Sequence, residues 1–262
     1  MTKVIILGSG AASGVPSITG NWGVCNPHNP KNNRRRAGIY IEENNTGILI
    51  DTSCELRQQL LDNKIKTVDG VLYTHTHGDH LLGINDLRGI TKEMNHKGLN
   101  IYAIDAQIND IRKHFPYVFM DATDVQITHR PELIANVINY NEKFKIGSFE
   151  IMPLEFQGHP VVTTGYDIDN GKVVIIPDYK VIPEHTLEYL CGLEINLLIM
   201  PLTSVKAREY HAGMSENLKY IDKIGAKQVV FTHMSGSCDY DEVEKMTPEN
   251  IHPAYDNMMI EI

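Results

Sequence analysis

With 262 residues, 42% apolar and 22% charged, the chain is long enough to bury a sizeable core, and its scattered 20 Gly and 12 Pro exclude fibrous and disordered classes. Lys and Arg number 24 against 33 Asp and Glu, a formal net charge of −9, which argues against a basic face that coats DNA or RNA but leaves room for a small positive pocket. Apolar runs such as Val4–Leu7 fall far short of the roughly 20 residues of a membrane span or the roughly 7–15 of an export signal, so a soluble, cytoplasmic protein without membrane contact is expected.

In chain order, Lys3–Leu7 reads as a strand that enters the glycine-rich Gly8-Ser9-Gly10. The polar, proline-containing stretch from Ala11 to Arg36 reads as a long loop, ending in Arg34-Arg35-Arg36. Gly38–Glu42 and Gly47–Asp51 flank the turn-rich Glu43-Asn44-Asn45-Thr46 and predict a hairpin. Thr52 and Glu55 have capping-box spacing before a helix to about Asn63. Val68–Thr74 is a strand that runs straight into His75, followed by a helix near His80–Met94. A strand at Asn100–Ala103 and a helix at Ala106–His114 come next, then strands at Phe149–Leu154 and Val161–Ile168. Asp169-Asn170-Gly171 turns the chain into a strand at Lys172–Pro177. Pro183 opens a helix, Ile195–Met200 is a buried strand, Ser215–Ile224 is a helix stopped by Gly225, and Lys227–Thr232 is a strand that ends on His233. Hairpins give way to strands with interleaved helices, so the class is mixed α/β, one domain over residues 1–262. Cys25, Cys54, Cys191 and Cys238 are far apart and read as free thiols. Cys25 and His28 share a C-x-x-H spacing, but two ligands do not close a tetrahedral site.

The densest chemistry is Thr74-His75-Thr76-His77-Gly78-Asp79-His80, three imidazoles and a carboxylate at the end of a buried strand. Histidines at i and i+2 leaving a strand can turn toward one cation, and Asp79 and His80, further round, toward a second beside it. Neutral imidazole and carboxylate are ligands that first-row divalent metals accept.

H-x-H-x-D-H after a strand resembles the metallo-β-lactamase superfamily. The resemblance implies a four-layer αβ/βα sandwich with a metal centre at one edge of its two sheets. It also implies two divalent ions per chain, zinc or manganese, held by His75, His77, Asp79, His80, His159, Asp178 and His233, with Asp178 bridging. The loop Gly8–Pro16, the stretch Asn29–Arg36 and Gly83-Ile84-Asn85-Asp86-Leu87-Arg88 are similar to the phosphodiesterase branch, with phosphoribosyl cyclic phosphodiesterases nearer than tRNA 3′-end nucleases. From that branch follow the expectations of Asp79 and His211 as catalytic residues and of His211 and Arg88 at the substrate. Two ions would hold a hydroxide as nucleophile, and alternation along Arg34-Arg35-Arg36 would point one or two of them inward, so Arg34 is expected at the substrate. Relatives of this branch carry a structural zinc in a C-x-C-x-x-C loop closed by a histidine three residues past the last active-site histidine. Here Cys25 stands alone and the histidine position is Gly236, so no structural zinc is expected and Trp22 is expected to pack the loop.

The expected substrate is a small anionic phosphodiester or nucleotide, with a homodimer allowed. The alternatives are a thioester or lactam hydrolase, a tRNA 3′-processing nuclease, and a non-catalytic metal- or nucleotide-binding module.

Overall fold

The computed structural model describes residues 1–122 and 129–262. Six strands cross the first sheet in chain order: β1 (Lys3–Gly8), β2 (Gly38–Glu43), β3 (Thr46–Ile50), β4 (Gly70–Leu72), β5 (Leu99–Ala103) and β6 (Leu133–Val137). The second sheet runs from β7 (Phe144–Ile146) through β8 (Phe149–Phe156), β9 (Thr163–Ile168), β10 (Val173–Ile175), β11 (Leu197–Pro201) and β12 (Gln228–Thr232) to β13 (Ile251–Pro253). A last strand, β14 (Met258–Glu261), returns to the first sheet and pairs antiparallel with β1.

Between the sheets lies one apolar core, with Ile6, Ile41 and Ile48 from the first facing Phe149, Tyr166, Val174 and Phe231 from the second. On the outside of the first sheet, α1 (Leu56–Asp62), α2 (Gly78–Leu81), α3 (Leu87–Glu93) and α4 (Asp105–His114) bury Leu56, Leu81, Ile90 and Ile108 against it. Outside the second, α5 (Glu184–Cys191), α6 (Met214–Ile224) and α7 (Tyr240–Met246) do the same through Leu190, Ile221 and Val243. The result is the expected α/β sandwich of four layers. Among the described residues no helix is long and apolar enough to cross a membrane.

Local chemistry explains the turns. Asn44 and Asn45 both adopt positive φ, as a two-residue hairpin between right-twisted strands requires. Gly225 ends α6 in the left-handed conformation. Two expectations need correction. The helix near His80–Met94 is two short helices joined by a 3₁₀ turn, Leu82–Asp86. There Gly83 leaves no room for a Cβ beside the Ser53 carbonyl, and its N–H donates to Thr52 O, which ties the chain to the Thr52–Glu55 turn. Thr52 and Glu55 form no capping box, because Glu55 pairs with Arg36 instead. The strands β6, β7, β13 and β14 and the helix α7 were not anticipated from the sequence.

The strand directions place the site. β3, β4 and β5 are mutually parallel, as are β10, β11 and β12, so their carboxyl ends open on one edge of the sandwich. That edge of an α/β sheet is where ligands bind by rule. Across it the sheets are stitched together: Tyr166 Oη donates to Tyr73 O at 2.6 Å, and Thr164 N donates to Thr74 O at 2.8 Å.

Candidate metal centre

Each carboxyl end contributes. β4 leads into His75 and the turn to His80, β10 into Asp178, and β12 into His233, while His159 follows β8 and His211 precedes α6. The seven residues expected to hold metal converge, and His211 joins them. Ligand atoms of His75, His77 and His159 lie within 4.8 Å of one another, as do those of Asp79, His80 and His233. The groups His75–His80–Asp178 and His159–Asp178–His211 meet the same limit, which sets Asp178 between the two triads.

Hydrogen bonds aim the rings. Asp51, just past β3, accepts from His80 Nδ1 at 2.7 Å, from Thr74 Oγ1 at 2.7 Å and from Thr74 N at 2.7 Å. The Thr74 hydroxyl, its proton given to Asp51, is left to accept from His75 Nδ1 at 3.0 Å. His159 Nδ1 faces the Tyr210 carbonyl at 3.4 Å, and Thr203 Oγ1 sits between His233 Nδ1 at 3.1 Å and His211 Nδ1 at 3.3 Å. Such outer partners fix which nitrogen carries the proton and turn the other inward. As a result His80 Nε2 and His233 Nε2 are 3.3 Å apart, and His159 Nε2 and His77 Nδ1 are 3.0 Å apart. His75 Nε2 is buried and has no hydrogen-bond partner.

A fully buried imidazole lone pair without a donor is costly. Nitrogens that face one another at hydrogen-bond distance, with two carboxylates beside them, are a donor set suited to divalent cations. The residues therefore fit divalent metal binding.

The electrostatics agree with this. Burial holds His75 well below the ordinary imidazole range, with the neighbouring imidazoles of His80, His77 and His159 adding to the effect. Burial likewise lowers His159 to about 4. Both are thus neutral, as ligation requires. Burial works against ionisation of Asp178, yet His233 and His80 outweigh it and hold the carboxyl below its usual range. Burial similarly opposes Asp79, whose hydrogen bonds from His233 and His80 win. His80 behaves oppositely: burial would lower it, but the Asp51 carboxylate raises it well above normal, so a cation would displace a proton there.

A cleft of about 250 Å³ opens onto the cluster, lined by Ala11, Ala12, His77, Asp79, Pro160 and Tyr210 among others. Neither expected arginine reaches it. Arg34 is 2% exposed and turned inward, donating to Cys238 O at 2.7 Å and Asn32 Oδ1 at 3.0 Å. It links Cys25 to the Ser235–Cys238 turn, the segments between which the resemblance implies a zinc in relatives, while Trp22 is half-buried in the same loop and its carbonyl accepts from Cys25 N. Arg88 is exposed and lines a separate groove of about 650 Å³ with Arg57, Leu61 and Lys92. Of the other arginines in the run, Arg35 pairs with Asp62 and Asp256, and Arg36 with Glu55.

Asp51 and Thr203 were missed. The only signal was position, Asp51 closing the predicted strand Gly47–Asp51 and Thr203 lying three residues past the predicted strand Ile195–Met200, and neither sits in a motif.

Residues 46–234 match the model of the family described as β-lactamase superfamily domain. Among curated proteins, the chain is 30% identical over 258 residues to an octanoyltransferase of Porphyromonas gingivalis, covering 98% of this chain and 51% of the relative. It is 25% identical over 146 residues to ribonuclease Z of Methanopyrus kandleri, covering 55% of this chain and 47% of that one. The chain thus spans about half the length of the curated relatives it matches. Among solved structures, a diphosphatase of the PhnP family superimposes with a TM-score of 0.88 at 25% identity, covering 100% of this chain and 98% of the other.

Proposed function

The chain belongs to the β-lactamase superfamily, and from that premise we propose a metal-dependent hydrolase that cleaves a small phosphodiester or nucleotide-like ester. The observation that carries this reading is the convergence of seven ligand-type residues and His211 at one edge of the sandwich. His75, His77 and His159 would hold one ion, Asp79, His80 and His233 the other, with Asp178 shared, and zinc and manganese both suit the set. Bound there, two divalent ions supply an activated water and Lewis acidity.

The chain's own residues do the rest. Asp79 and Asp178 bring two negative charges against four positive ones, so the loaded cleft stays positive and draws an anionic ester into an acidic protein. Asp51 and Thr74 hold the tautomers of His80 and His75. His211, whose ring centroid is 5.0 Å from that of His159 and 6.1 Å from that of His233, lines the cleft beside the cluster. Burial lowers its basicity in the free protein, and an anionic phosphate alongside favours the protonated form. From there it serves as the acid that protonates the leaving oxygen.

Similarity to a PhnP-family diphosphatase and to a ribonuclease Z supports phosphoryl chemistry at this site. The name octanoyltransferase supports a second reading, hydrolysis of an acyl thioester, although the chain matches only half of that protein. One panel decides between them. Zinc- and manganese-loaded protein should turn over a nitrophenyl phosphodiester well above a phosphomonoester, and lose that activity with a chelator. Thioester or lactam turnover without diester activity would replace the proposal with the second reading.

A further inference from the structure

The cleft makes no use of Arg34, yet this side chain is among the most deeply buried charges in the chain. Its Nη1 donates to Cys238 O at 2.7 Å and lies 3.4 Å from Ser235 O and 3.9 Å from Cys25 Sγ. Its Nη2 donates to Asn32 Oδ1. That same oxygen accepts from Tyr240 N at 2.8 Å, while Asn32 Nδ2 donates to Asp239 Oδ2 at 2.8 Å. Among the described residues no carboxylate comes within ion-pair distance of the guanidinium, so one buried cation rests on neutral acceptors. Such a charge is expensive to bury, and the acceptors it gathers become correspondingly fixed.

What it fastens is the turn that leaves the site. His233 has φ +53°, a left-handed conformation that an L side chain adopts only where its surroundings hold it. On the near side Leu202 N donates to Thr232 O, and Met234 exchanges backbone bonds with Ser9 and Ala11. On the far side the turn Ser235–Cys238 is gripped by Arg34, by Val24 N donating to Gly236 O at 2.7 Å, and by Ser235 N donating to Thr203 O.

We propose that Arg34 is a positioning residue for His233: it clamps the Ser235–Cys238 turn so that the left-handed histidine keeps Nε2 on Asp79 and His80. It therefore sets the affinity of the ion those three residues would hold and leaves the His75–His77–His159 group alone. The inference rests on the two-ion reading above.

Arg34→Met keeps the bulk and removes every donor, whereas Arg34→Lys keeps the charge and one donor group. Zinc titration against a chromophoric chelator should show two ions in the unaltered protein. In Arg34→Met one of them should weaken by about tenfold or more, as outer-shell losses do, with the other within about twofold. Arg34→Lys should fall between. Hydrogen exchange should quicken at the amides of residues 234–238 while those of β4 and β12 stay protected. If both variants hold two ions with unaltered affinity, or if both ions weaken together with a general loss of protection, Arg34 serves the fold alone and the proposal fails. Should Arg34→Met not fold, Arg34→Lys and Asn32→Ala carry the same comparison. An unaltered protein that takes up no zinc sinks the metal reading instead, and the exchange comparison then still decides whether Arg34 holds the turn.

Discussion

Asp51 stands behind the cluster and gives nothing to the cleft, yet it orients two of the rings through His80 and Thr74. Asp51→Asn keeps the shape and loses the charge that favours the His80 Nδ1–H. Zinc affinity should drop about 10–100-fold with the fold retained, read by chelator competition. An unchanged affinity would reduce Asp51 to a structural cap. His211→Ala should keep its metal and lose about 10²–10⁴-fold in turnover on a poor leaving group, but much less on nitrophenolate, which hardly needs a proton. Equal losses on both would make His211 a phosphate ligand. The chelator-treated protein also has a defined pH response. His159 titrates near 4 when folded and near 6.5 when unfolded, so between those values the unfolded chain binds more protons and stability falls as pH falls. His75 pushes the same way, while His80, raised when folded, contributes fully below about 6.5 and loses its contribution only as pH climbs through its higher folded value. Denaturation midpoints should therefore drop from pH 6.5 toward 4, and His159→Gln should make that drop shallower; parallel curves would contradict the assignment.

Among the elements, the break between α2 and α3 matters most to the site. A straight helix from His80 would carry Leu82 and Gly83 away from the Thr52–Glu55 turn. As built, Gly83 N donates to Thr52 O, and Thr52 N donates to His80 O, so the turn that carries Asp51 and the turn that carries His80 brace one another. An added Cβ at Gly83 would run into the Ser53 carbonyl oxygen, and that partner is backbone. Gly83→Ala should therefore cost about 1–3 kcal/mol in chemical denaturation, with weaker metal binding alongside. An alanine variant as stable as the original would show that the brace is dispensable. The short helices here owe little to their own length and much to the apolar faces that they bury against the sheets.

At the scale of the whole molecule, two parallel strand triplets from different sheets point their carboxyl ends at one edge, and the shared core keeps that edge closed. Cysteine placement reports on how closed the rest is. Cys25 and Cys238 are buried, and burial raises the Cys238 thiol to about 11, while Cys54 and Cys191 are exposed. A thiol reagent at neutral pH should label two cysteines per native chain and four after denaturation, because the thiolate is the reactive form and needs access. Labelling of all four in the native protein would mean that the loop fastened by Arg34 opens readily.

The metal cluster was legible in the sequence because its parts are short-range facts: four ligand-type residues within six positions, and His159, Asp178 and His233 each next to a run patterned as a strand or turn. The α/β class was legible for the same reason, since hydrophobic periodicity is a local property. The arginines were not. Arg34, Arg35 and Arg36 are one charge run in sequence, yet the first is buried under the His233 turn and the other two pair with Asp256, Asp62 and Glu55, all at long range. Arg88 sits in a motif beside the cluster but lines a separate groove with Arg57 and Lys92. Asp51 and Thr203 gained their roles only when strands far apart in the chain were brought side by side. Residue type and spacing determined which chemistry the chain can do. Which charges face the cleft, and which support it from behind, was decided by packing, because burial and partner distance exist only once the two sheets have closed.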